Sequence, residues 1–312
     1  MRVVVVGCGY VGLELARQLA ERGHSVTGVR RSDAGLGAIE SMGDEVDGDG
    51  NAGGEAEVDA VRADATDPES LDALPDADAI VFAASSGGRG AAAAREVYVD
   101  GLRNVIEAYG SRAATPDRLV YTSSTGVYGD HDGAWVDEET PIEPTTEKTR
   151  VLAEAERTAL ETAAEFGVDG TVARFAGLYG PDRYRLERYV DGPVTAGYLN
   201  MVHRDDAAGA VRYLLEADRA RGDVVLVVDD EPADKHAFAD WLADACGVSR
   251  PEKRSKEERI AEDGLSAAAE RRIRTSKRCS NDRLRALGYE FAYPTFREGY
   301  RDAVRAFRAA SE

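Results

Sequence analysis

Gly7, Gly9 and Gly12 follow four consecutive valines in the run Val3-Val-Val-Val-Gly7-Cys8-Gly9-Tyr10-Val11-Gly12. Their spacing suits the grip of a pyrophosphate. Gly7 permits a tight turn, Gly9 lets backbone approach the phosphates, and Gly12 lets the next helix pack closely on the strand before it. The helix N-terminus adds unpaired N–H groups and a positive dipole end. Gly7, Cys8, Gly9, Tyr10, Val11 and Gly12 therefore form a candidate dinucleotide-binding turn; the alternative is a glycine turn serving structure alone. Further along, Val29 is followed by Arg30 and Arg31, with no carboxylate before Asp33. An acid about 20 residues past the glycines would bond the ribose 2′-OH of NAD, whereas arginine there suits the 2′-phosphate of NADP. Paired guanidiniums favour the phosphate. The expected cofactor is NADP, with NAD as the alternative, unless both arginines serve only to pair with nearby acids.

These residues need a parallel sheet to hold them. Four valines in a row read as a strand buried on both faces, and the amphipathic run after them as a helix over 12–22. Strands are expected over 3–6, 25–29, 58–62, 79–83, 118–122, 170–174 and 224–228. Helices are expected over 91–109, 149–166 and 204–217. Such alternation implies an α/β fold: a Rossmann-type doubly wound parallel sheet with a smaller C-terminal substrate lobe. The sheet domain should cover 1–175, with 200–230 returning to it; 176–199 and 231–312 should form the lobe. The acidic, glycine-rich stretch 43–57 reads as a mobile surface insertion, without the carboxylate spacing of a calcium loop.

Composition narrows the function classes. The chain has 312 residues, 43% of them hydrophobic, enough for a large core. A formal net charge of −19 argues against nucleic acid as a partner, because phosphate would be repelled. Only five of the 39 basic residues are lysine, at 148, 235, 253, 256 and 277. A carboxylate-rich, lysine-poor surface is like that of proteins from a high-salt cytoplasm, where the screening length falls to about 3 Å at 1 M salt. An acidic protein from a GC-rich genome is the plainer reading. Cys8, Cys246 and Cys279 have no pairing or metal-ligand spacing, so neither disulfides nor a metal site is expected. No apolar run approaches a membrane span and no signal-peptide layout is visible, so the expectation is a soluble, cytoplasmic protein without a membrane partner.

Several further segments match one family in order. They are Ala63-Asp64-Ala-Thr-Asp67, Val81-Phe-Ala-Ala84, Val120-Tyr-Thr-Ser-Ser-Thr-Gly-Val-Tyr-Gly129, Arg174-Phe-Ala-Gly-Leu-Tyr-Gly-Pro181 and Met201-Val-His-Arg-Asp-Asp-Ala207. With the glycine turn, this set resembles the extended short-chain dehydrogenase/reductases, the NAD(P)-dependent sugar-nucleotide epimerases and dehydratases, and within them the atypical members. The resemblance implies that Asp64 lies against the adenine ring and that Ala83 and Ala84 pass beneath the cofactor ribose and phosphates. It implies a small-molecule substrate such as a nucleotide sugar, and a homodimer as the family's common form. Asp205 and Asp206 would cap and tether the next helix.

Family members with ordinary chemistry carry a Ser/Thr and a Tyr-x-x-x-Lys, in which the lysine lowers the tyrosine pKa and the tyrosine moves a proton during hydride transfer. Ser124 falls at the serine position. The tyrosine is missing. Aligning Glu154 with the acid that follows the motif puts Thr146 at the tyrosine position and Arg150 at the lysine position; a shift of two puts Pro144 and Lys148 there. A threonine hydroxyl is far too weak an acid to replace a phenol with pKa near 10, although arginine can still donate to ribose hydroxyls. Ser124, Thr146 and Arg150 are thus the catalytic-position residues, and Tyr128, Tyr179 and His203 are candidate replacement proton carriers, each with a packing role as its alternative. Lys277 and Arg278 either meet an anionic substrate or belong to a helix-entry turn capped by Ser280 or Asn281. Two functions follow: an oxidoreductase or epimerase acting on a nucleotide sugar or related small carbonyl or alcohol, or a non-catalytic NAD(P)-binding sensor or scaffold.

Overall fold

The computed structural model describes residues 1–48, 57–88, 90–262 and 264–311. Seven strands make one sheet: β1 (Arg2–Val6), β2 (Ser25–Arg30), β3 (Val58–Arg62), β4 (Ala79–Phe82), β5 (Arg118–Ser124), β6 (Asp169–Phe175) and β7 (Asp223–Val227). Their spatial order is β3-β2-β1-β4-β5-β6-β7. The order reverses beside β1, the kind of switch point where such sheets bind ligands. β1 lies parallel to β2 and β4, with Val6 opposite both Val29 and Phe82. That register brings the ends of three strands together at the glycine turn. Val3 to Val6 are all buried, as a run without polar alternation requires.

Helix α1 (Tyr10–Ala20) buries Leu15, Ala16, Leu19 and Ala20, a stripe at helical spacing. Helix α2 (Asp33–Gly48) buries Ile39, Met42 and Val46. This corrects the sequence expectation for 43–57: its first six residues continue α2, because Val46 extends the apolar stripe of Ile39 and Met42. Of the rest of that stretch, 49–56 lies outside the described residues. Helix α3 (Glu147–Arg157) begins at an N-cap formed by Thr146, and a wider turn carries it on through Thr158–Thr162 to Ala163–Glu165.

The chain divides into two compact units. The first comprises Met1–Val127, Pro144–Arg174 and Ala207–Val225; the second comprises Tyr128–Glu143, Phe175–Asp206 and Leu226–Glu312. Residues 128–143, which the sequence reading grouped with the sheet, are thus placed in the second unit. The second unit is organised by short parallel pairs: Met201–His203 with Gly177–Tyr179, Val194–Thr195 with Lys253–Arg254, and Trp135–Val136 with Arg278–Cys279. Phe238, Phe296, Tyr179 and Tyr300 fill its core. The three cysteines are buried and unbridged. No helix among the described residues is long and apolar enough to cross a membrane.

Candidate functional site

The turn after β1 is made by backbone. The amides of Gly7 and Cys8 both donate to the Val29 carbonyl, at 3.2 and 3.1 Å, so the turn hangs from the end of β2. Gly7 has φ +83°, and a β-carbon there would lie 2.2 Å from the Ala84 Cα. Only glycine allows that approach. The Ala83 amide donates to the Val6 carbonyl at 2.8 Å, so Ala83 and Ala84 sit beside the turn by close packing. Gly9 opens α1 with no side-chain cap, and the first turn of the helix holds no acid. The positive end of α1 therefore has no anion from its own first turn or cap. Cys8 is buried, and burial pushes its thiol up to about 12 although Arg30 opposes the shift; it fills space.

A cavity of about 380 Å³ opens beside this turn, with Gly7, Arg30, Arg31, Ser32, Asp64 and Ala84 among its walls. Arg30 lies across the open face of the glycines, its Nη1 2.8 Å from where a Gly9 β-carbon would be. Its guanidinium has no hydrogen bond or ion pair among the described residues. Arg31 donates to Asp64 at 3.1 Å. Asp64 also accepts from the Thr66 amide at 3.0 Å and hydroxyl at 2.8 Å. Burial pushes its carboxyl up, but the bonds from Thr66 and Arg31 prevail and hold it below the ordinary carboxylate range. Asp33, the first carboxylate after the arginines, is held by Arg62. Two arginines face one carboxylate on this wall, and Arg30 is the charge left over.

Ser124 ends β5, and its Oγ accepts from the Gly126 amide at 3.1 Å, which tightens the turn that follows. The neighbouring Ser123 was not singled out from sequence, and neither was Glu156. Ser123 Oγ donates to Glu156 Oε1 at 2.6 Å. Arg174 donates to the same carboxylate through Nε at 3.0 Å and Nη2 at 2.7 Å. All three residues are buried. This knot joins α3 to β5 and β6 one residue from Ser124. A signal existed: Glu156 borders the apolar stripe Val151, Ala155 and Ala159, where an acid needs a partner. Glu154, used to set the sequence register, pairs instead with Arg95 at the surface. Counting back from Glu156 places Lys148 at the tyrosine position and Leu152 at the lysine position, so the tyrosine is absent in that register too.

The other catalytic-position residues have local partners. Thr146 accepts from the Thr149 amide at 3.0 Å in a reciprocal cap. Arg150 is exposed and pairs with Glu147 in the same turn. Tyr128 is buried and donates to the Asp137 carbonyl at 2.6 Å. Tyr179 stacks on Tyr300 with centroids 5.0 Å apart and meets the His203 ring edge-on at 5.3 Å. Burial, with Asp229 next, drives the Tyr179 phenol far above its ordinary value. Tyr179 and His203 are thus parts of a packed aromatic group in the second unit.

Asp206 accepts from the amides of Ala292 and Tyr293, both at 2.8 Å, and from the Tyr289 hydroxyl at 3.0 Å. It is a tether. Lys277 donates to the Gly129 carbonyl at 3.1 Å, and Arg278 donates to the Gly133 carbonyl at 2.7 Å between the rings of Trp135 and Tyr198. Both are spent on holding 276–279 to 128–137. Ser280 caps the next turn by accepting from Asp282 at 3.0 Å. Asn281 donates to Asp230 at 2.7 Å and does not cap. Among the described residues, no group of three or more His, Cys, Asp or Glu side chains converges as metal ligands.

A family model described as NAD dependent epimerase/dehydratase family matches residues 3–229. Protein YeeZ of Escherichia coli (strain K12) is 30% identical over 300 residues, covering 94% of this chain and 96% of that protein. A putative NAD-dependent epimerase/dehydratase from Methylobacillus flagellatus superposes with a TM-score of 0.70 at 29% identity, over 100% of this chain and 99% of the other. A UDP-glucose 4-epimerase from Thermotoga maritima, solved with UDP-glucose, gives a TM-score of 0.77 at 18% identity over the whole of both chains, a likeness of fold.

Proposed function

Since this chain belongs to the NAD dependent epimerase/dehydratase family, we propose that it binds NADP and acts as an oxidoreductase or epimerase on a nucleotide sugar or a related small carbonyl or alcohol. The observation that carries the cofactor half is the partnerless Arg30 guanidinium on the cavity beside Gly7. A half-buried charge without a counter-ion is costly to keep, and a 2′-phosphate would supply the counter-ion. The pyrophosphate would rest on the uncapped start of α1, Asp64 would lie by the adenine, and Ala83 and Ala84 would run beneath the ribose. Bound dinucleotide supplies the hydride chemistry. Ser124 would polarise the substrate oxygen. Arg150 would bond a ribose hydroxyl, its exposed pair with Glu147 being weak enough to exchange. Thr146 can donate a hydrogen bond but not carry the proton.

A non-catalytic NADP-binding sensor or scaffold is the second reading. The absent tyrosine favours it, as does the use of the Thr146 hydroxyl in a helix cap.

Fluorescence titration with NADPH and NADH, in low and in molar salt, tests the cofactor. NADPH should bind more tightly, and Arg30→Ala should weaken NADPH by roughly 10-fold or more, the worth of one charge-assisted contact, while sparing NADH. Equal affinities in the wild type that do not respond to Arg30→Ala would refute the NADP assignment. Hydride exchange measured across a panel of sugar nucleotides then separates the two readings: tight NADPH binding without any exchange leaves the sensor.

A further inference from the structure

The second unit holds a larger cavity, about 810 Å³, into which Arg185, Arg188, Lys235, Arg254, Arg259 and Arg272 converge. Glu262 is the one acid among the described residues of its wall, and it is shared by Arg254 and Arg259. Arg254 also pairs with Glu252 at 2.8 Å. The side chains of Arg185, Arg188, Lys235 and Arg272 have no ion pair or hydrogen bond among the described residues. In a chain with 58 acidic against 39 basic residues, four such cations on one cavity wall are a local excess of positive charge. Four cations left together without carboxylates require another explanation.

Three elements supply these four cations. The turn of helix Glu187–Val190 carries Arg188, with Arg185 just before it. The start of helix Lys235–Cys246 carries Lys235. Helix Ala267–Arg274 carries Arg272. Lys235 is the most enclosed of them: burial pushes its ammonium down, Lys256 and Arg188 add to this, and only Asp234 opposes. Like charges held this close cost energy unless an anion joins them. Pro193, Val194 and Leu199 line part of the same cavity, giving an organic ligand an apolar wall.

We infer that this cavity binds a small molecule bearing at least three negative charges, carried as a chain of phosphoryl groups. Arginine forks match phosphoryl oxygens two at a time, and the lysine adds a point charge. An internal diphosphate has only one negative charge on each phosphorus and would leave half of the four unpaired cations unmatched. A terminal di- or triphosphate, or a diphosphate ester with a further acid, would match them. Naming this ligand a substrate rests on the enzyme reading above; the anion site itself does not.

The test is calorimetric titration of the full chain with inorganic phosphate, pyrophosphate and tripolyphosphate at fixed ionic strength. Affinity should climb about 10-fold or more from phosphate to tripolyphosphate. Arg188→Ala/Arg272→Ala should weaken tripolyphosphate by about 30-fold and flatten that climb, since each lost arginine contact is worth several-fold to tenfold. Both side chains are exposed and form no ion pair or hydrogen bond among the described residues, so the fold should survive, as circular dichroism would verify; Lys235→Met gives an independent second variant. Arg30→Ala should change nothing. Tripolyphosphate binding no tighter than phosphate, or binding indifferent to Arg188→Ala/Arg272→Ala and Lys235→Met, would overturn the site. So would loss of binding in Arg30→Ala, which would put the anion in the dinucleotide cavity. NADPH affinity does not enter this titration, so the cofactor assignment can fail without it.

Discussion

Replacing Glu156 probes how the site is held. Its carboxylate takes two bonds from Arg174, at 3.0 and 2.7 Å, and one from Ser123 at 2.6 Å, with side-chain exposures of 5% for Glu156 and 7% for Arg174. Glu156→Ala leaves a buried guanidinium without its counter-ion, which costs about 3–5 kcal/mol. Ser123→Ala removes one bond to a charged acceptor and should cost about 1.5–3 kcal/mol. The decisive construction is Glu156→Met/Arg174→Met, in which neither charge remains. Apolar replacement of a whole buried pair is often neutral, so this double variant should recover most of the loss in Glu156→Ala. Urea unfolding followed by circular dichroism, with Glu156→Met and Arg174→Met as single variants beside the wild type and the double, closes the double-mutant cycle that isolates the pair. The reasoning fails if Glu156→Ala costs less than about 1 kcal/mol, as a solvated pair would, or if the double variant is as unstable as the sum of its parts.

Gly7→Ala places a methyl 2.2 Å from the Ala84 Cα at φ +83°; with about 1–2 kcal/mol for the left-handed backbone alone, it should lower the thermal midpoint and abolish dinucleotide binding together, and normal NADPH titration would contradict the packing account. Asp229 is buried, neither carboxylate oxygen has a hydrogen-bond partner among the described residues, and burial drives its pKa well above the carboxylate range. The Glu231 amide weighs against that shift from outside hydrogen-bonding geometry. A raised folded pKa means that stability is fully present below the unfolded value and is lost as pH rises through the folded one. Asp229→Asn should therefore be more stable than the wild type at pH 8, with the gap closing toward pH 4; a gap that widens on acidification would reverse the sign and the argument.

Much of the first unit is legible from local sequence. Val3 to Val6 can only be a doubly buried strand, and Gly7, Gly9 and Gly12 can only follow it as a turn into a helix, because strand burial and backbone approach are properties of adjacent residues. The alternation that implied a doubly wound sheet is local in the same sense. So is the missing tyrosine, which no fold can restore. The extent of α2 was less visible: glycines and acids at 43–48 mask an apolar stripe whose last member is Val46.

What only the tertiary structure decided are choices of partner. Arg30 and Arg31 are alike in sequence, yet Asp64, 33 residues further on, takes Arg31 and leaves Arg30 over the glycine turn. Lys277 and Arg278 look like substrate ligands until the carbonyls of Gly129 and Gly133 claim them. Glu154 and Glu156 differ by two positions on one helix, and the helix's rotation sends the first to the surface and the second to Arg174. The four unpaired cations of the second cavity come from three separate parts of the chain. An ion pair or a cavity wall is set by distance in space, and only folding brings such residues within reach; the glycine turn, whose parts are neighbours along the chain, could be read before it.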